Sequence, residues 1–171
     1  MTTIDADALR ERQAPLKARY RDDPATAITP AEAHGTYAEG GVTVTIDGFT
    51  GPVRAGLHPA TGGDGLDACS ADLLLQALLG CAGVTFRAVA IASGVDIRRA
   101  ELSAKGWWDA RGTLGVEREA PVGIQGITVT IAVDTDADDE RLARMAKATE
   151  RYCVVAQTLA ATPAFEITRL A

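Results

Sequence analysis

The sequence predicts an α+β fold in which helices are segregated to one face of antiparallel sheets. Three observations carry this prediction. Strand-like apolar patterning recurs around residues 42–57, 96–113 and 123–136. Two long stretches, 70–94 and 137–163, instead place apolar residues at helical spacing. The resulting order is a β-meander, a buried helix, two long strands, a second helix and an edge strand.

Taken in order, residues 5–21 carry Leu9, Leu16 and Tyr20 among many charges. They read as a short amphipathic helix with Pro15 as a candidate break, packed on the outside of the domain or on a partner. The segment "RDDPATAITPAE" then changes composition and supplies two prolines. It separates an N-terminal extension, residues 1–32, from a single domain over residues 33–171. From His34 the period becomes two: Val42, Val44 and Ile46 alternate, Gly40-Gly41 and Asp47-Gly48 supply turns, and Val53 to Leu57 form another strand. The glycine-rich "ATGGDGLDA" lacks the lysine and spacing of a phosphate loop, so it reads as a flexible approach to the next helix.

Ser70 is the expected N-cap of that helix and Gly94 its stop. Between them only Gln76 and Arg87 carry strongly polar side chains after the first turn. A helix apolar nearly all round is enclosed by a core or by a subunit interface. Strands are expected in "DIRRAELSAKGWWDARGT" and in "GIQGITVTIAVDTD", where Ile127, Val129, Ile131 and Val133 alternate. A second long helix then begins with acids and ends near Pro163, and "FEITRL" closes the chain as a strand.

With 171 residues and a formal charge of −6, and a pI near 4.9, the chain offers no basic surface for nucleic acid or anionic lipid. The charged N-terminus contains no signal-peptide core. Glycine, threonine and charged residues interrupt each run before the eighteen or so apolar residues of a membrane span. A cytoplasmic location is expected, with Cys69, Cys81 and Cys153 reduced at rest. No metal-ligand spacing occurs around the two isolated histidines, His34 and His58, and no cofactor is expected.

Cys81 lies in the first long helix, between Gly80 and Gly83, and Cys153 in the second. Each cysteine alone reads as a small buried hydrophobe. Together they have the arrangement that a dithiol peroxidase needs: one thiolate to attack a peroxide and a second thiol to condense with the sulfenic acid. The stretch "SADLLLQALLGCAGVTFRAVA" resembles the central-helix signature of the OsmC/Ohr family, osmotically inducible protein C and organic hydroperoxide resistance protein. "RYCVVAQTL" resembles that family's second-cysteine segment, where the cysteine commonly precedes Pro-Val-Ser or a variant.

The resemblance implies a two-layer α+β fold, an intertwined homodimer and active sites at the dimer interface. It also implies reduction of organic hydroperoxides, with Cys81 peroxidatic, Cys153 resolving and a dithiol as reductant. The family's peroxidases take an arginine from the first hairpin and a glutamate ten residues before the cysteine. Here the hairpin reads "TYAEGGVT", Ala71 occupies the glutamate position and the acid stands at Asp72, the pattern of a divergent OsmC-like branch.

Nine helical residues place Asp72 about 13 Å from Cys81 along the axis and on the opposite face. It therefore either serves a partner's cysteine or simply favours the helix N-terminus. Arg54 is the candidate cation, or else an exposed strand charge; Arg87 lies about 120° away from the Cys81 face. His58 reads as a solvated loop residue, and Trp107 and Trp108 point to opposite faces of their strand. The alternative reading is a non-catalytic OsmC-like protein that binds a small apolar ligand or senses redox state.

Overall fold

A computed structural model describes residues 4–37, 40–159 and 164–169, which divide into two compact units. The first comprises Met1–Ala31, Gly80–Ser103 and Val129–Ala171; the second comprises Glu32–Leu79 and Ala104–Thr128. Ala38 and Glu39 of the expected hairpin, the expected helix end at Pro163, and Leu170 of the last strand lie outside the described residues.

In the second unit, β1 (Gly35–Tyr37), β2 (Thr43–Ile46) and β3 (Val53–Gly56) form the expected antiparallel meander. Tyr37 stands opposite Val44, and Ile46 opposite Val53. A strand that the pattern did not reveal, β4 (Ala68–Cys69), pairs parallel to β3 through Ala55↔Ala68 and Gly56↔Cys69. The sheet is therefore mixed rather than purely antiparallel. A two-residue strand is too short to show a period, and the glycine-rich loop before it is the crossover that parallel pairing requires. That loop is ordered by a 3-10 turn, Pro59–Thr61, where His58 Nδ1 accepts from the Ala60 N–H at 3.0 Å. The second sheet has the order β5 (Arg99–Trp107), β6 (Gln125–Asp134), β7 (Ala164–Arg169). A one-turn helix, α3 (Ala110–Thr113), follows β5, capped by the Asp109 carboxylate accepting from the Arg111 N–H.

The first unit contains α1 (Ala6–Asp22), in which no residue is buried. It runs unbroken through Pro15, contrary to the candidate break. One lost backbone bond is tolerated where full turns continue on both sides and the Asp5 carboxylate caps the start, accepting from Ala8 N–H at 2.8 Å. Val129, Ile131 and Val133 alternate into the core from β6, as their period predicts. On α4 (Asp139–Tyr152), Leu142, Met145 and Thr149 are buried at helical spacing.

The long helix α2 (Ser70–Ala92) begins directly after β4, so Ser70 is its first residue rather than its cap. Gly94, at φ +63°, lets the Val95 N–H reach the Ala90 carbonyl at 3.0 Å and closes the last turn. The expectation of near-complete enclosure is corrected. Leu78, Ala82, Phe86 and Ala90 form one buried stripe at four-residue steps, whereas Val84 is 74% exposed. The run in α2 is interrupted, as expected, by Gly80, Gly83, Thr85 and Arg87. By length and composition alone α2 could cross a bilayer, with a mean hydropathy of 1.7 over its most apolar window.

The second long helix is likewise not continuous. Helix α4 stops at Tyr152, Cys153 adopts extended backbone (φ −75°, ψ 104°), and α5 (Val154–Thr158) begins afresh. The paired β-branched residues Val154 and Val155 weaken helix propagation at this point. The Cys153 N–H still bonds the Thr149 carbonyl at 2.9 Å, which anchors the break to α4.

Candidate thiol site

The helix break places new donors beside Cys81. A helix start leaves its first N–H groups without intrahelical partners, and those of Val154 and Val155 favour the charged form of the half-buried Cys81 sulfur. The Cys153 thiol and the Thr85 hydroxyl favour the charged form of the same atom. Burial pushes the Cys81 thiol up, but the Val155 N–H, the Cys153 side chain, the Val154 N–H and Thr85 together outweigh it and hold the thiol below its ordinary value. Among the described residues, every group acting on this sulfur is uncharged at rest.

Cys153 behaves in the opposite sense. It is fully buried, and burial pushes its thiol up; the Ala156 N–H draws it back, while the hydrogen bond to Cys81 and the charge of a Cys81 thiolate push it further up. Of the two thiols, Cys81 is therefore the one that gives up its proton first.

The two glycines around Cys81 differ. A methyl group added at Gly83 would lie 2.9 Å from Leu102 Cδ2, so this glycine admits β5 close to α2. The same addition at Gly80 meets nothing within 4 Å.

Asp72 is exposed in the first turn of α2, where its charge suits the helix dipole. Arg54, on β3, forms an ion pair with Asp67 at 2.8 Å, and the Asp67 side chain is only 9% exposed. The acid that holds Arg54 is thus Asp67. Arg87 turns to the Ile97 carbonyl at 3.3 Å. His58 meets the Trp108 ring edge-on, with centroids 5.4 Å apart, while Trp107 is exposed. His58, Trp108, Cys69, Leu57, Leu74 and Val122 help to line a largely apolar cavity of about 440 Å³ in the second unit. Among the described residues, no three His, Cys, Asp or Glu side chains converge as metal ligands.

Sequence reasoning missed Thr85, Asp67 and the N–H groups of Val154 and Val155. Thr85 carries a readable signal, since four residues from Cys81 on a helix is a same-face position. Backbone N–H groups carry none, because every residue but proline has one.

Residues 63–168 match the sequence profile of the family described as OsmC-like protein. No curated protein matches the sequence. Among solved structures, an OsmC-like protein from Mycoplasma pneumoniae superposes with a TM-score of 0.65 at 14% identity, covering 84% of this chain and 99% of that one. An organic hydroperoxide resistance protein OsmC from Legionella pneumophila gives 0.63 at 10% identity, covering 84% and 100%. The organic hydroperoxide resistance protein OhrB of Bacillus subtilis gives 0.55 at 18% identity, covering 82% and 98%.

Proposed function

The chain belongs to the OsmC-like protein family, and from that premise we propose that it is a thiol-dependent peroxidase that reduces organic hydroperoxides. The observation that carries this reading is that Cys81 and Cys153 act on one another, with one thiol held below and the other above its ordinary value. Cys81 is the peroxidatic thiolate. Its sulfur attacks the terminal oxygen of ROOH; the S–O bond forms, the O–O bond breaks, and the alkoxide leaves and takes a proton from water. Cys153 then attacks the sulfenic acid, forming the disulfide with loss of water. An external dithiol supplies the two electrons that restore both thiols.

Arg54, paired with Asp67 at 2.8 Å, and Asp72 are the candidate cation and acid of this reading, each offered to a partner's site. A second copy of the chain covers the exposed apolar face of α2, making a homodimer. The cytoplasm, whose reductants keep dithiols reduced, is the compartment that suits this cycle.

The test is consumption of tert-butyl hydroperoxide in the presence of dithiothreitol. The parent should turn over and Cys81→Ser should not; equal rates would reject the assignment. The cavity beside His58 and Trp108 favours a second reading, a small-ligand binder with inert cysteines. That reading requires three thiols that stay free after mild peroxide treatment.

A further inference from the structure

We propose that the cavity in the second unit is a binding site for a neutral aromatic molecule of one or two rings, separate from the dithiol. Neither Cys81 nor Cys153 lines it, so the proposal stands whether or not those cysteines reduce peroxide.

The construction of the cavity supplies the first argument. His58 and Trp108, both half-buried and both in its lining, meet with ring centroids 5.4 Å apart and planes at 85°. Aromatic rings pack edge-to-face or offset, so two rings already at right angles present surfaces on which a third can settle. Both are held in place before any ligand arrives. The His58 carbonyl accepts from the Thr61 N–H at 2.8 Å, the Gly63 N–H at 3.1 Å and the Thr61 hydroxyl at 2.9 Å. Its ring is fixed through Nδ1, which accepts from the Ala60 N–H at 3.0 Å. Trp108 follows β5 directly, and the Asp109 carboxylate after it caps α3. The wall at Val122–Ile124 depends on two close approaches. A methyl group at Gly106 would lie 2.6 Å from Ile124 Cγ2, and one at Gly112 would lie 2.7 Å from the Ala120 carbonyl oxygen. The cavity is thus preformed, as small-molecule sites usually are.

Charge supplies the second argument. No Asp, Glu, Lys or Arg side chain lines the cavity among the described residues. The His58 ring, with Nδ1 accepting, carries its proton on Nε2 and is uncharged. The Thr61 hydroxyl proton is already spent on the His58 carbonyl. An ionised ligand would leave water without meeting a counter-charge, whereas a neutral one would not bear that cost. The Ser70 and Thr113 hydroxyls, also in the lining, suit a ligand hydroxyl.

Size and exposed surface supply the third. The volume of about 440 Å³ lies toward the lower end of the roughly 300–1,000 Å³ of small-molecule pockets. It suits one or two rings rather than a nucleotide cofactor. Three of its apolar residues remain partly in water, Leu57 at 41%, Leu74 at 38% and Val122 at 61% exposure. An aromatic occupant would cover surface of this kind.

The experiment uses the full-length protein and two probes that share a ring system, neutral 1-naphthol and the 1-naphthoate anion, titrated by calorimetry at pH 7. Occupancy is read a second time through Cys69, a half-buried free thiol in the lining, by following its alkylation with iodoacetamide by peptide mass. The parent should bind 1-naphthol at one saturable site per chain and 1-naphthoate at least about tenfold more weakly. With 1-naphthol at about ten times its dissociation constant, Cys69 alkylation should slow about tenfold, in proportion to the fraction of empty cavity. Val122→Trp, which adds bulk at an exposed position of the wall, and Trp108→Leu, which removes one aromatic face, should each weaken 1-naphthol binding about tenfold with an unchanged circular dichroism spectrum. The comparison of the two probes on the parent does not depend on either variant. Absence of saturable 1-naphthol binding, or equal affinity for the anion, would overturn the proposal. So would binding that leaves Cys69 alkylation unchanged, or binding confined to chains diluted to monomer, since a second copy would then fill the cavity.

Discussion

A thiolate in an apolar helix needs compensation, and around Cys81 it comes from neutral donors on two chain segments. Val154 is the instructive one. Where the family motif carries proline after its second cysteine there is no N–H to give, whereas Val154 has one that helps to hold the Cys81 thiol below its ordinary value. Val154→Pro should be tolerated by the fold, because it is the first residue of α5 and Cys153 before it is already extended. It should nonetheless slow Cys81 alkylation at neutral pH several-fold. An unchanged rate, measured beside an unchanged circular dichroism spectrum, would remove Val154 from the site.

The sign of the pH response follows from the two thiols. Cys81 is held low, so its reaction with peroxide should rise with pH and level off below the range of an ordinary thiol, while Cys153, held high, adds no second reactive step there. A rate still climbing at pH 9 in a stopped-flow series would contradict this. Cys81 and Cys153 were legible because their flanking motifs are specific. Thr85 was legible in principle by spacing, but the sequence held no mark of which backbone amides would face the sulfur, nor that Asp67 rather than a neighbouring acid would hold Arg54.

Elements with a full period were read correctly, and those that depend on one residue's backbone were not. Strand β6 is ten residues long and alternates from Ile127 to Val133, and its buried Val129, Ile131 and Val133 match the pattern. Strand β4 has two residues, and the break at Cys153 turns on a single pair of backbone angles. That break is what frees the N–H groups of Val154 and Val155, because a continuous helix through residue 155 would engage them internally.

The same reasoning separates Gly80 from Gly83 on α2. Gly80→Ala meets open space and should stabilise the fold by about 1 kcal/mol through helix propensity, whereas Gly83→Ala presses on Leu102 and should gain less or nothing. Thermal unfolding of the two variants checks the order, and a larger gain at Gly83 would contradict the close approach of β5. Met145→Ala, which empties a fully buried site on α4, should cost about 2–5 kcal/mol in urea unfolding.

For the molecule as a whole, α2 is the element that a lone chain leaves incomplete. Its buried stripe satisfies one face, and Val84 remains largely exposed on the rest. A second copy placed there would remove that surface from water. Sedimentation should therefore give twice the 17.8 kDa chain mass, and Val84→Glu should shift the protein toward monomer by burying a charge in the contact. A monomeric parent at micromolar concentration would refute the assembly. The fold class was legible at this level because blocks of strand and helix character are a property of long stretches, whereas the covering of α2 depends on a surface that no single-chain pattern describes.

The most direct test of the two-cysteine chemistry is peptide mapping after one equivalent of tert-butyl hydroperoxide, without added reductant. Two of the three thiols should disappear together, with Cys81 and Cys153 recovered as one disulfide-linked pair and Cys69 still free. Recovery of three free thiols, or of Cys81 oxidised to sulfinic acid beside an unreacted Cys153, would contradict it.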